Sequence, residues 1–278
     1  MPNAIISTAS FQGNGNQEDI LNAISSAMIT AGFSLLKSYT VGNGNFRVWN
    51  FNSGTQTYAN LIIEFGFTNN STAVSFKGYS NFNIDTNIGS NPSANTNTSA
   101  FGLSDSYIFR ICNHPEIRGV YIFGQGTVRM FLGYFRPDPT ISSNNWWNQN
   151  NAPYAYIPRN NATDFSQKFF GSTFATLQPI SFLTQGNTAS VNLGMTEIGS
   201  HSGNSNTPGR LRALYPATMS AHMPSTGLVE FAHIFSPDVV QGGVSGMVLG
   251  DYCSVGANQY AVWSVDTSNN AKLLIRTT

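Results

Sequence analysis

The segment Asn16-Gln17-Glu18-Asp19-Ile20-Leu21-Asn22-Ala23-Ile24-Ser25-Ser26-Ala27-Met28-Ile29-Thr30-Ala31-Gly32 decides how the chain is read. Asn16 is a suitable N-cap, and Glu18 and Asp19 suit the positive end of a helix dipole. Ile20, Leu21, Ile24, Ala27, Met28 and Ala31 follow the 3.6-residue period, and Gly32 supplies a stop. One apolar stripe of this width predicts a helix lying against a sheet. The residues after Gly32 supply that sheet. Phe33–Val41 and Asn45–Phe51 flank Gly42-Asn43-Gly44, where Gly and Asn readily take positive φ, so a hairpin is expected. In Tyr58–Phe67, residues Leu61, Ile63, Phe65 and Phe67 alternate with Asn60, Ile62, Glu64 and Gly66, and Thr72–Gly78 returns after Thr68-Asn69-Asn70-Ser71.

Further strands are expected at Tyr107–Cys112, Gly119–Phe123 and Thr127–Arg136. Between the two groups, Tyr79–Phe101 is dominated by Asn, Ser and Thr, and it reads as a long loop because it has little apolar surface to pack. Arg136-Pro137-Asp138-Pro139 interrupts any regular element, since two prolines can neither donate ladder hydrogen bonds nor continue a helix. A domain boundary is placed there. Residues 1–137 form an α+β domain, a helix on an antiparallel meander, and residues 138–278 form a β-rich domain. Strand-like runs in the second part are Thr173–Phe182, Ser190–Met195, Arg210–Tyr215, Gly227–Phe235 and Gly246–Leu249. It ends in a hairpin in which Gln259–Val265 alternates, Asp266–Asn270 turns and Lys272–Arg276 returns. Leu273 and Ile275 are expected to meet Val262 and Tyr260 across that turn. The fold class is therefore mainly β: two antiparallel, sandwich-like domains, the first with one amphipathic helix packed on its sheet.

Composition narrows the function. Of 278 residues 41% are hydrophobic, which suffices for a core, but only 9% are charged, against about 25% in an ordinary soluble domain. Asn, Ser and Thr (32, 31 and 24) take the place of the charges. Thirteen basic residues balance thirteen acidic ones, so no basic face is available for nucleic acid and no polybasic segment for a membrane surface. Near-zero net charge favours association over free diffusion. Met1-Pro2-Asn3-Ala4-Ile5-Ile6 does not have the pattern of a signal peptide. The most apolar stretch, Val239–Leu249, is broken by Gly242, Gly243 and Gly246, well short of the ~18 residues of a membrane span. Assembly in a cytoplasm is expected. Asn-x-Ser/Thr sequences at Asn69, Asn70, Asn97 and Asn161 are accounted for by composition. Cys112 and Cys253 read as buried thiols, with a disulfide as the alternative.

Catalytic motifs are sparse. The carboxylates form no recognisable acid/base motif, although two distant ones could converge as a glycosidase pair. His114, His201, His222 and His233 lack metal-ligand spacing, neither cysteine belongs to a C-x-x-C, and no G-x-S-x-G elbow occurs. No metal and no cofactor are expected. Gly124-Gln125-Gly126 and Gly242-Gly243-Val244-Ser245-Gly246 lack complete phosphate-loop signatures, and the first reads as a hairpin turn. Asn113-His114-Pro115-Glu116-Ile117-Arg118-Gly119 offers a proton-transfer pair in His114 and Glu116, or an inter-strand turn closed by an ion pair. The turn is the stronger reading. The candidate contact residues are Trp146, Trp147, Tyr154 and Tyr156, set among Asn and Gln. They suit an interface between subunits, where Trp and Tyr serve as anchors, a packed linker, or a platform on which aromatic faces stack against sugar rings.

Three stretches carry a resemblance: the helix leading through Ala31-Gly32-Phe33 and Gly42-Asn43-Gly44-Asn45-Phe46-Arg47-Val48-Trp49 to Ile63-Glu64-Phe65-Gly66-Phe67; the loop Asp85-Thr86-Asn87-Ile88-Gly89-Ser90-Asn91; and Gln259-Tyr260-Ala261-Val262-Trp263 with Leu273-Leu274-Ile275-Arg276. Covering about a third of the chain, they resemble bacteriophage virion structural proteins of the tail, baseplate or fibre-associated kind. The resemblance implies β-rich subunits in rings or trimers, without catalysis, located in the virion. The partners it implies are copies of the chain and other virion proteins. The chain lacks the collagen-like or heptad repeats of fibrous members, which speaks against a long shaft. The expected function is a structural subunit of a symmetric homo-oligomer. The alternatives are a host-attachment module whose partner is a cell-surface glycan, a capsid decoration protein and, most remotely, a glycan-degrading enzyme.

Overall fold

A computed structural model of the chain describes residues 5–51, 61–69, 72–79, 81–90, 96–98, 101–114, 117–124 and 129–135, and beyond these 157–159, 180–184, 187–191, 215–216, 221–222, 229–230, 239–243, 251–265 and 271–276. They are mainly β, with one helix and several antiparallel sheets. In chain order come β1 (Ile5–Gln12), α1 (Gln17–Thr30), β2 (Ser34–Val41), β3 (Gly44–Phe51), β4 (Leu61–Phe67), β5 (Val74–Tyr79), β6 (Asn81–Asn83), β7 (Ile88–Ser90), β8 (Thr96–Thr98), β9 (Ser106–Asn113), β10 (Ile117–Gly124) and β11 (Arg129–Phe135). The remaining strands are β12 (Ile157–Arg159), β13 (Ile180–Thr184), β14 (Asn187–Val191), β15 (Tyr215–Pro216), β16 (Ala221–His222), β17 (Val229–Glu230), β18 (Val239–Gly243), β19 (Tyr252–Val255), β20 (Asn258–Val265) and β21 (Ala271–Arg276).

The helix forms for the reasons its sequence states. The Asn16 side chain accepts the Glu18 N–H at 2.9 Å, capping the first turn. At the other end Gly32 takes φ +94°, its N–H reaches the Ile29 carbonyl, and the Phe33 N–H reaches the Met28 carbonyl. That pair of bonds is a Schellman motif, and it sends Phe33 into the core. The last turn of α1 carries no basic residue; the Arg118 guanidinium of β10 lies against Gly32 and over the Phe51 ring, 4.4 Å from its centroid, placing a cation at the negative end of the dipole.

The expected single meander is instead two sheets. One has the order β2-β3-β4-β5-β8 and the other β1-β9-β10-β11-β12. The β2–β3 turn is two residues long, with Gly42 at φ 60° in the first position, as a II′ turn requires. β1, which the sequence pattern leaves unassigned, pairs with β9 from Ile5↔Asn113 to Gln12↔Ser106. Ile20, Leu21, Ile24, Ala27 and Met28 of α1 pack with Trp49, Ile63, Phe65 and Phe67 of one sheet and Tyr107, Phe109, Ile111, Val120, Ile122 and Leu132 of the other, in one continuous core. The helix thus touches both sheets.

Tyr79–Phe101 departs from the expected loop. Tyr79 ends β5, β6 and β7 form a small hairpin, and β8 pairs with β5. The runs are only three residues long and mostly polar, so alternation could not reveal them. Further on, the chain after the proline-rich break returns to the second sheet, where β12 pairs with β11; residues 136–140, where the boundary is placed, lie outside the described residues.

The closing hairpin is built into a third sheet, of order β15-β18-β21-β20-β19. Its register corrects one expectation. The pairing shifts between Val262 and Ser264, setting Val262 opposite Leu274 and Tyr260 opposite Arg276 rather than opposite Leu273 and Ile275. One extra residue at Trp263 moves every partner beyond it by one position. The pairs β13–β14 and β16–β17 complete the described strands.

Candidate functional site: a glutamate held by two tyrosines

Arg47, on the core-facing side of β3, is buried and bonds the Glu18 carboxylate, the Asn22 side-chain oxygen at 3.0 Å and the Phe46 carbonyl at 3.1 Å. Gln17 donates to the Asn69 carbonyl at 3.1 Å and accepts from Asn45 at 3.4 Å. Together they tie the first turns of α1 to the β2–β5 sheet. A buried guanidinium needs such partners, because an unpaired buried charge is costly.

The opposite face of the same sheet holds a second polar cluster. Successive side chains on a strand point to opposite faces, so Glu64 of β4 leaves the core and shares the outer face with Val48 of β3 and Lys77 of β5, its register partners. Glu64 is nevertheless buried. The Tyr39 hydroxyl donates to Oε2 at 2.6 Å and the Tyr79 hydroxyl to Oε1 at 3.1 Å. An aromatic layer covers them: Tyr39 stacks on Phe46 at 5.3 Å, while Phe82 of β6 packs on Tyr79 at 5.6 Å and on Tyr39 at 6.2 Å. Gly66 and Gly89 let the rings of Phe46 and Tyr79 lie directly on backbone, where any Cβ would collide. The β6–β7 hairpin therefore closes over Glu64, with Ile84 and Ile88 left exposed beyond it.

Each carboxylate oxygen receives a charge-assisted hydrogen bond, a stronger class than neutral pairs. The cluster clasps β2, β4 and β5 together, and it does not present a free base to a bound molecule. The signal for it in the sequence is a lone carboxylate inside the apolar run Leu61-Ile62-Ile63-Glu64-Phe65-Gly66-Phe67. Alternation assigns Glu64 to the polar side and does not show that this side is covered.

The residues singled out from sequence fare unevenly. Trp146, Trp147, Tyr154 and Tyr156 lie outside the described residues. His114 is buried directly after β9, in the connection to the antiparallel β10, as the inter-strand reading requires; Glu116 lies outside the described residues. Gly124 ends β10, which pairs antiparallel with β11; Gln125 and Gly126 lie outside the described residues. Cys112 is a buried thiol. Among the described residues, no three or more His, Cys, Asp or Glu side chains group to hold a metal ion, and no helix is long and apolar enough to cross a membrane.

Burial pushes the Tyr39 hydroxyl well above its ordinary value of 10, and the Glu64 charge adds to the effect. Burial likewise raises Tyr107, whose hydroxyl donates to the Gly102 carbonyl at 2.7 Å, and it raises Cys112 above its ordinary 9. In the unfolded chain these groups ionise at their ordinary values, while the folded chain retains their protons. Stability from this source is therefore whole below pH 9 and falls as pH rises from there through 10 and beyond. Thermal melting between pH 7 and 11 is expected to be flat, then to fall on the alkaline side. Tyr39→Phe should lower stability at neutral pH by about 1–3 kcal/mol, by leaving a buried carboxylate oxygen short of a donor, and should make the alkaline fall shallower. A melting temperature that rose above pH 9 would contradict this assignment.

Comparison with protein-family models and with curated protein sequences found no match to this chain.

Proposed function

We propose that the chain is a non-enzymatic structural subunit of a bacteriophage virion, working in the tail or baseplate within a symmetric homo-oligomer. In this reading the second part of the chain completes a two-domain, sandwich-like arrangement, 1–137 and 138–278. Copies of the chain and other virion proteins are its partners. The observation that carries the reading is the use made of scarce charge. With 9% charged residues, the chain places Arg47 and Glu64 in buried ties between α1, β2, β3, β4 and β5. Charge placed in buried ties, on a chain whose acidic and basic residues balance, suits a wall element that works by packing against its copies. The resemblance to virion proteins adds to it.

The experiment is the double variant Trp146→Ala with Trp147→Ala. If this pair anchors a subunit interface, truncation should weaken assembly by about 2 kcal/mol or more, read as a shift toward smaller species in native mass measurement. Unchanged oligomer size with lost binding to host envelope sugars would replace the structural reading with host attachment. Both residues are substituted because neighbours on an extended chain point opposite ways.

A further inference from the structure

Among the described residues, three five-stranded sheets present six edge strands, and five of these carry a feature that resists the addition of another strand. β2 breaks register between Leu35 and Lys37 and bears that lysine. β8 has three residues; β12 has three, including Pro158 and Arg159. β15 has two, ending in Pro216, and β19 has four. β1 differs from all of them. Its eight residues, Ile5-Ile6-Ser7-Thr8-Ala9-Ser10-Phe11-Gln12, contain no charge, proline or glycine. They pair with β9 without a break, and no described strand lies on the other side. Thr8, Ala9, Ser10 and Gln12 are exposed. A regular, uncharged edge of this length offers a row of backbone donors and acceptors to another strand.

We propose that β1 pairs with β1 of a second copy, antiparallel across a two-fold axis normal to the sheet, so that two five-stranded sheets join edge to edge. This rests on the homo-oligomer reading and names one interface within it. An isologous contact sets a strand against its own image. A charge near the axis would face itself, and β1 carries none, while the other eight-residue edge, β2, is bulged and carries Lys37. The axis also fixes the register. A two-fold normal to the sheet keeps each side chain on its own face, so partners must be an even number of positions apart. The pairing therefore centres on a residue, Thr8 or Ala9, and that residue meets its own copy.

Two variants test it, with native mass as the first readout. Thr8→Lys combined with Ser10→Lys places like charges across the axis in either register. It should halve the native mass of the wild-type assembly while leaving the circular dichroism spectrum unchanged. Thr8→Cys and Ala9→Cys, made separately, should divide: under mild oxidation one of them forms a disulfide-linked dimer, because cross-strand Cα separations of about 4.5–5.5 Å suit a disulfide. The wild type, with Cys112 buried, serves as the background. If the lysine variant fails to fold, the cysteine pair decides. An oligomeric wild type whose lysine variant keeps the same mass, or in which neither cysteine variant cross-links, overturns the β1 contact and leaves the oligomer reading standing. A monomeric wild type overturns both.

Discussion

Removal of residues 259–278 is expected to abolish soluble folding. The deletion takes all of β21 and all of β20 except Asn258. β21 is the middle strand of its sheet, paired with β18 from Val239↔Ile275 to Gly243↔Ala271 and with β20 on the other side. Its loss separates β15 and β18 from β19 and exposes the ladder groups of both remnants. Each ladder bond lost costs about 0.5–1.5 kcal/mol net, and the uncovered edges pair with other chains and aggregate. Expression and fractionation give the readout. A truncated chain that stayed soluble, kept its melting temperature and retained its oligomeric state would show the hairpin to be a dispensable tail.

Trp49→Ala should produce the largest loss among single substitutions in the core. Trp49 is fully buried on β3, between Leu35 of β2 and Ile63 of β4 in register, and belongs to the core that α1 shares with both sheets. Its indole N–H has no hydrogen-bond partner among the described residues, so truncation removes packing and no polar bond. Aromatic-to-alanine changes in such positions cost about 3–5 kcal/mol, a large share of the roughly 5–15 kcal/mol by which domains are stable. Equilibrium denaturation should show the midpoint falling with little change in slope, and Leu35→Ala, at an exposed position, should cost far less. A Trp49→Ala loss under 1 kcal/mol would mean that the helix and the sheets do not share this core.

Legibility in the sequence tracks the range of the interactions involved. α1 was legible because its cap, its apolar period and its glycine stop lie within seventeen consecutive residues, and each acts locally. The β2–β3 and β20–β21 hairpins were legible for the same reason. β1 was not, because its partner β9 lies about a hundred residues on and no turn joins them. The division of the expected meander into two sheets depends on that same distant pairing. A bulge is invisible to alternation, so the partners of Val262 and Tyr260 were misassigned by one position. Glu64 was assigned to the polar side of β4, which is its side, but its burial depends on Phe82 and Gly89 reaching across from a hairpin that reads as loop.

In the proposed function the chain works as one of several copies in a symmetric assembly. Native mass measurement of the purified, full-length protein across a hundredfold range of concentration tests it most directly. One discrete species is expected, at two or more times the 30.1 kDa chain mass, persisting on dilution. A single 30.1 kDa species at every concentration would contradict it.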